Sequence, residues 1–179
     1  MVGTVVKQDL AQMGATPGMD TFTASVPITS TFGPDYGPPN VKESRDIAHC
    51  EPQLRDAWPL IQQRFKAETG RDLFLTCTYR SRERQNELYQ QGRTLPGKIV
   101  TKLDGINKRS RHNFFPSQAL DCCVDSDPGP GKHPVWDIEA YKPLGPICLQ
   151  LGLRWGGDWN RDGDSSDEKW IDAPHVELI

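Results

Sequence analysis

The stretch SRHNFFPSQALDCCVD, residues 110–125, constrains the structure of this chain more than any other. It places His112 nine residues ahead of Asp121, and a loop with proline and serine lies between them. The part ALDCCVD, residues 119–125, is predicted to be a strand. Spacing alone leaves two interpretations open: His112 and Asp121 are two of three metal ligands, or the stretch is a surface loop followed by an ordinary strand.

Composition limits the classes of protein to consider. With 179 residues, 36% of them hydrophobic, and with 15 prolines and 16 glycines, the chain fits one loop-rich α+β domain with an appendage. A net charge of −3 gives no reason to expect binding to nucleic acid or to an anionic membrane. No apolar run approaches the length that spans a bilayer, and the N-terminus lacks the pattern of a signal peptide. Five cysteines without a CxxC spacing predict reduced thiols and not a disulfide framework.

The chain divides into two regions by composition. Residues 1–45 are rich in Thr, Ser, Pro and Gly and are predicted to be an extended arm, which is disordered or docks to a partner. Residues 46–179 are predicted to be the globular domain. We expect synthesis in the cytosol, because no leader is recognised at the N-terminus.

Periodic patterns predict the elements of the globular domain. Residues 50–70 have helical spacing and end at Gly70, residues 72–80 alternate as a strand, and residues 82–91 form a second helix that Ser81 caps. The apolar face of the first helix consists of Leu54, Ala57, Trp58, Ile61 and Phe65.

The residue types needed by a zinc hydrolase are present. Such a site requires three protein ligands, an open position for water and a carboxylate that moves protons. His112 and Asp121 offer a nitrogen and an oxygen, and the closing segment DAPHVEL offers His175 as a third ligand. Asp172, three residues earlier, is a candidate to hold the water. Spacing motifs of this kind match by chance often, so the residues alone leave the question open.

Three ordered blocks carry a resemblance to a known family. Residues 78–101 contain Tyr-Arg-Ser, a helix with Gln and Leu-Tyr, and Gly-Arg-Thr-x-Pro-Gly; residues 110–121 contain Ser-x-His and Ala-x-Asp. The third block joins residues 152–159, GLRWGGDW, to residues 172–178. From about residue 50 to its end the chain resembles the zinc-dependent D-alanyl-D-alanine carboxypeptidase and L-alanyl-D-glutamate endopeptidase family, and within it the single-domain phage endolysins.

The resemblance implies a fold and a role for each matching residue. The implied fold is α+β, similar to the Hedgehog and DD-peptidase group: a small antiparallel sheet with helices packed on it and zinc on the open face. Asp172 would be the general base, and Arg80 would polarise the scissile carbonyl and stabilise the oxyanion. The implied zinc ligands are His112, Asp121 and His175, and the implied polar groups on the substrate side or behind the ligands are Ser110 and Gln85.

A second candidate cation site lies in DWNRDGDSSDE, residues 158–168. Its oxygen-bearing residues follow the first half of a calcium-binding loop, with Gly163 in place. The twelfth position is Lys169 where a bidentate Glu is expected, so a solvated acidic loop remains the alternative to calcium. The candidate ligands are Asp158, Asn160, Asp162 and Asp164.

The resemblance implies that the substrate is the stem peptide of peptidoglycan, cut between L-Ala and D-Glu during host lysis. A D-Ala-D-Ala carboxypeptidase on the same scaffold is the near alternative. A virion-associated lysin or structural component, docked through residues 1–45, is an alternative of another class. A non-catalytic binding module is disfavoured because the chemical positions are all filled. The expected location is the host cytoplasm before release to the cell wall, or the virion.

Overall fold

The structure, a computed structural model, describes residues 37–38, 40–127 and 129–179. Most of the predicted arm, residues 1–45, lies outside these residues, and its docking role stays a prediction. The described part is an α+β fold with three α-helices and one five-stranded antiparallel sheet, which confirms the predicted class. Within that part, no helix combines the length and apolar character needed to cross a membrane.

The first two helices begin and end close to the predicted residues. Helix α1, Pro52–Thr69, starts with a proline. A proline is tolerated there because a backbone N–H in the first turn has no acceptor within the helix. It ends at Gly70, where φ is +73°, a left-handed conformation that glycine adopts without a Cβ clash. Helix α2, Arg82–Gln90, is capped by Ser81, whose Oγ accepts a hydrogen bond from the backbone N–H of Arg84.

A third helix, α3, Leu144–Gln150, begins directly after Pro143. The sequence predicts a start or a kink at this proline, because a proline ring excludes the preceding residues from a continuous helix. A short 3-10 helix, Ile138–Tyr141, precedes it. Pro146 is tolerated in the first turn of α3, where backbone N–H groups have no intrahelical acceptor.

The sheet has the strand order β1-β2-β5-β4, and β3 pairs with β2. The predicted strands β1 and β2 are present, and so is β5, which Ile171, Val176 and Leu178 predict in the closing segment. The two shortest strands were not predicted, because two or three residues are too few for an alternating pattern. The strands are β1 Asp72–Cys77, β2 Ala119–Asp125, β3 Pro134–Val135, β4 Leu153–Trp155 and β5 His175–Leu178.

Alternation along the strands gives the sheet two chemically different faces. Leu120, Cys122 and Val124 of β2 and Val176 of β5 are fully buried in the core together with the apolar side chains of α1 and α3. Side chains one position away point to the opposite face, which α1 and α3 leave uncovered. That face carries the candidate site.

Candidate metal centre

Asp121 and His175 face each other across neighbouring strands. The antiparallel register of β2 and β5 pairs them directly, on the face opposite the core. Asp121 Oδ1 lies 3.0 Å from His175 Nδ1. Residues in such cross-strand pairs are close neighbours, so the strand pairing by itself brings these two ligand types together.

His112 completes the group from a short 3-10 helix, Arg111–Asn113. The Oγ of Ser110 accepts a hydrogen bond from the backbone N–H of His112 and so caps this turn. His112 Nε2 lies 3.0 Å from Asp121 Oδ1 and 3.2 Å from His175 Nδ1. Ligands at about 2.0–2.1 Å around a tetrahedral ion are about 3.3 Å apart, so one ion fits between these three atoms.

Both imidazole rings are oriented by a hydrogen bond at the other nitrogen. His112 Nδ1 lies 2.6 Å from the carbonyl of Thr78, which can only accept, so we assign the proton to Nδ1 and the lone pair to Nε2. His175 Nε2 donates to Glu177 Oε2 at 3.2 Å, which leaves Nδ1 for a metal. Glu177 is itself held by Arg154 Nη1, 2.9 Å from Oε1. Such partners orient ligands and raise their basicity.

The electrostatics of the site favour a bound cation. Burial lowers the pKa of His175, but hydrogen bonds to Asp121 and Glu177 outweigh it and raise the pKa to about 10. Burial opposes ionisation of Asp121, yet His112 and His175 hold its pKa well below the usual range. The same carboxylates that stabilise a proton on His175 would stabilise a metal ion in its place.

Cys77 is a further candidate ligand that the sequence did not indicate. Its Sγ, a nitrogen of His112 and an oxygen of Asp121 all lie within 4.8 Å of one another, which makes a candidate metal-binding group. The thiol, however, approaches His112 at Nδ1, 3.8 Å away, and this nitrogen already bonds to the Thr78 carbonyl. Burial also raises the pKa of Cys77. His175 therefore fits the third ligand position better.

Arg80 lies against the second carboxylate oxygen of Asp121. Its Nη2 donates to Asp121 Oδ2 at 3.1 Å, and its Nη1 donates to Gln85 Oε1 at 3.1 Å. Burial disfavours the guanidinium, but Asp121, Cys77 and Glu43 outweigh it and raise the pKa of Arg80. A permanent cation thus lines the cavity beside the three converging candidate ligand atoms.

Asp172 lines the same cavity, at the turn that leads into β5. Its backbone carbonyl accepts from His175 N, and its backbone N–H donates to the carbonyl of Gly156. A Cβ at Gly156 would lie 2.4 Å from Asp172 O, so only glycine permits this approach of the two segments. Burial raises the pKa of Asp172, which suits a carboxylate that takes up and returns a proton.

The acidic loop, residues 158–168, bonds largely to itself. Asp158 accepts hydrogen bonds from the backbone N–H groups of Asp162 and Gly163, and Asn160 Nδ2 donates to Asp162 Oδ2 at 2.7 Å. Asp164 Oδ1 accepts from the backbone of Ser166. These contacts give the polar side chains of the loop hydrogen-bond partners within the loop itself. Calcium binding there stays a prediction.

The site opens into a cavity of about 770 Å³ with aromatic walls. Trp136, Trp159, Trp170 and Phe114 line it, and the ring of Trp159 lies 5.6 Å from that of His175, centroid to centroid. No sequence pattern indicated that the three tryptophans line the site, and the support of His175 by Glu177 was not predicted. The contact between Glu177 and His175 could have been predicted, because residues two positions apart on a strand lie on the same face of the sheet.

Glu177→Ala is expected to lower metal affinity about 10- to 100-fold, because it frees the His175 ring and leaves Arg154 without its carboxylate. Glu177→Gln, which keeps an acceptor, should lose less. Metal titration with a competing chelator measures both. Glu68→Gln, at an exposed position of α1, is the matched control. Wild-type affinity in Glu177→Ala would show that His175 needs no such support.

Residues 42–44 reach the site from the N-terminal side. Ser44 exchanges backbone hydrogen bonds with Thr78 and Tyr79, and Ser81 N–H donates to the carbonyl of Lys42. Glu43 Oε1 lies 3.4 Å from Arg80 Nε, and Glu43 lines the cavity. The predicted boundary after residue 45 is untested, but these contacts belong to the domain.

Two shortened chains separate the arm from this segment. A chain that starts at Lys42 keeps the three backbone bonds and Glu43, so we expect it to fold and to retain the hydrolytic rate. A chain that starts at Asp46 should lose about 3 kcal/mol of unfolding free energy, at about 1 kcal/mol for each bond. Chemical denaturation and rate measurements on both chains test this. Equal stability of the two would contradict it.

Sequence comparisons with known proteins identify one family. Residues 104–179 match the sequence pattern of the phage L-alanyl-D-glutamate peptidases. Over 151 residues the chain is 32% identical to the peptidoglycan L-alanyl-D-glutamate endopeptidase CwlK of Bacillus subtilis. This alignment covers 76% of this chain and 81% of CwlK. The crystal structure of the L-Ala D-Glu endopeptidase ChiX of Serratia marcescens aligns with a TM-score of 0.49 and 18% identity, over 78% of this chain and 87% of ChiX.

Proposed function

Because the chain belongs to the family of phage L-alanyl-D-glutamate peptidases, we propose that it is a zinc-dependent peptidoglycan hydrolase that cuts the stem peptide between L-Ala and D-Glu. The observation that carries the proposal is the convergence of His112 Nε2, Asp121 Oδ1 and His175 Nδ1 within 3.2 Å of one another at the wall of a cavity. Three protein ligands with space beside them are typical of a catalytic zinc site.

The donor set supports zinc over other common ions. Two imidazole nitrogens and one carboxylate oxygen suit zinc, whereas magnesium and calcium prefer sites made of oxygen alone. We place the ion between His112, Asp121 and His175. When bound there, it supplies Lewis acidity that activates water and polarises a carbonyl group. Calcium on the acidic loop has no support beyond the half-complete ligand pattern.

The side chains around the site divide the chemistry between them. Asp172 takes a proton from the attacking water and later returns it to the amine of the leaving D-Glu, for which a raised pKa is suitable. Arg80 donates hydrogen bonds to the oxygen that becomes negative as the scissile carbonyl is attacked. Gln85 keeps Arg80 in place through Nη1. The aromatic walls exclude water from one side of the peptide.

Mass spectrometry of digested peptidoglycan tests the proposal. Incubation with the purified protein is expected to produce new peptides with a free D-Glu amine, and Asp172→Ala is the inactive control. Release of D-Ala instead would identify a carboxypeptidase. A protein that holds zinc and makes neither product would be a binding module. Docking to a virion through residues 1–45, and with it the virion location, stays a separate prediction.

A further inference from the structure

The cavity has a cation at its wall that the chemistry described so far leaves without a role, Lys102. We propose that its ammonium group binds the free carboxylate of the substrate's D-glutamyl residue and thereby sets the specificity for an acidic residue on the leaving side. This inference rests on the proposed function, because it names the part of that substrate which Lys102 recognises.

The residues on both sides of Lys102 are hydrogen-bonded to Gln85, which also contacts Arg80. Gln85, which is only 1% exposed, donates from Nε2 to Thr101 Oγ1 at 3.0 Å and to the carbonyl of Leu103 at 2.9 Å. The same amide accepts from Arg80 through Oε1. One buried side chain therefore fixes the position of Lys102 relative to Arg80, as a specificity residue requires.

The ammonium group is held over an aromatic ring and is available to an anion. Lys102 Nζ lies 4.7 Å from the centre of the Trp170 ring, a cation–π contact that orients the amine without neutralising it. Among the residues that the structure describes, no carboxylate lies within 4.0 Å of this amine.

A chain of contacts leads from Lys102 back to the metal centre. The carbonyl of Trp170 accepts a hydrogen bond from Trp159 Nε1 at 2.8 Å, and the Trp159 ring lies beside that of His175. The other cavity cations have partners: Arg80 bonds to Asp121, Arg109 Nη2 donates to the carbonyl of Asn113, and Arg111 Nη1 donates to Gln118. Lys102 is thus the cation best placed to accept a new carboxylate.

The substrate supplies such a carboxylate next to the bond that is cut. A D-Glu residue in a peptide is linked to the next residue through one of its two carboxyl groups. The other carboxyl group stays free, whichever of the two forms the link. Its amine is the leaving group, so the free carboxylate departs on the same residue as the scissile nitrogen. A lysine at the cavity wall would distinguish this residue from its amide, which has the same shape and no charge.

Matched peptides that carry either D-Glu or its amide at this position test the proposal. For the wild-type protein we expect a KM about 10-fold lower for the acid than for the amide, with little difference in kcat. Lys102→Met should remove this preference by raising the KM for the acid alone, and Lys102→Arg should restore most of it. Since the contact is partly solvated, high salt should weaken the wild-type preference.

The controls separate this inference from the function itself. Lys98→Met removes an exposed lysine of the same loop that does not line the cavity, and it should keep the wild-type preference. A preference for the acid that persists in Lys102→Met would assign the carboxylate to another cation and overturn the proposal, as would a wild-type protein that does not discriminate. Failure to cut either peptide at all would refute the proposed function instead.

Discussion

Replacing any of His112, Asp121 and His175 with alanine is expected to remove zinc and activity together. The loss of an outer partner of a metal ligand costs about 10- to 100-fold in affinity, and the loss of one of three ligands must cost more. We therefore expect activity to fall by at least about 100-fold, with less than stoichiometric zinc after purification. Elemental analysis and the rate on isolated peptidoglycan measure the two losses. Chelation of the wild-type protein should have the same effect, and added zinc should reverse it.

Two further variants decide which residues are the ligands. His133→Ala removes an imidazole that does not line the cavity, so zinc and activity should stay unchanged. Cys77→Ser should also retain zinc, because the thiol faces the nitrogen of His112 that bonds to Thr78. Stoichiometric zinc in His175→Ala, together with loss of zinc in Cys77→Ser, would assign the third position to the thiol.

Asp172→Ala is expected to separate catalysis from metal binding. The substitution leaves His112, Asp121 and His175 in place, so the variant should bind near-stoichiometric zinc and melt close to the wild type. General acid–base assistance is typically worth about 100- to 10,000-fold, and we expect turnover to fall by at least about 100-fold. Asp172→Glu should keep part of the activity, because a carboxylate survives with a longer reach.

The control for this variant is Asp56→Ala, at an exposed position of α1 outside the cavity. It should leave turnover unchanged. If Asp172→Ala loses its zinc, the aspartate is a ligand and the division of roles is wrong. If it keeps zinc and near-full activity, another group moves the proton. Glu177 is the next carboxylate to test, although its oxygens already bond to His175 and Arg154.

Local patterns predicted the elements with long periodic segments. Helix α1 and strand β2 follow from the spacing of their own apolar residues, and Gly70 marks a helix end because few other residues adopt a positive φ. The strands β3 and β4 have two and three residues and no signal of their own. They exist because a neighbouring strand offers hydrogen bonds, which is information from elsewhere in the chain.

The sequence by itself determined the fold class, the family and the residue types of the candidate metal site, because these depend on motifs that are read within short segments. Only the tertiary structure decided which groups surround them. Asp121 and His175 meet across 54 positions of the chain through strand register, and Glu177 reaches the far nitrogen of His175. Gln85 links Arg80 to the loop around Lys102 in the same way. Such contacts depend on how distant segments pack, and no local pattern encodes that packing.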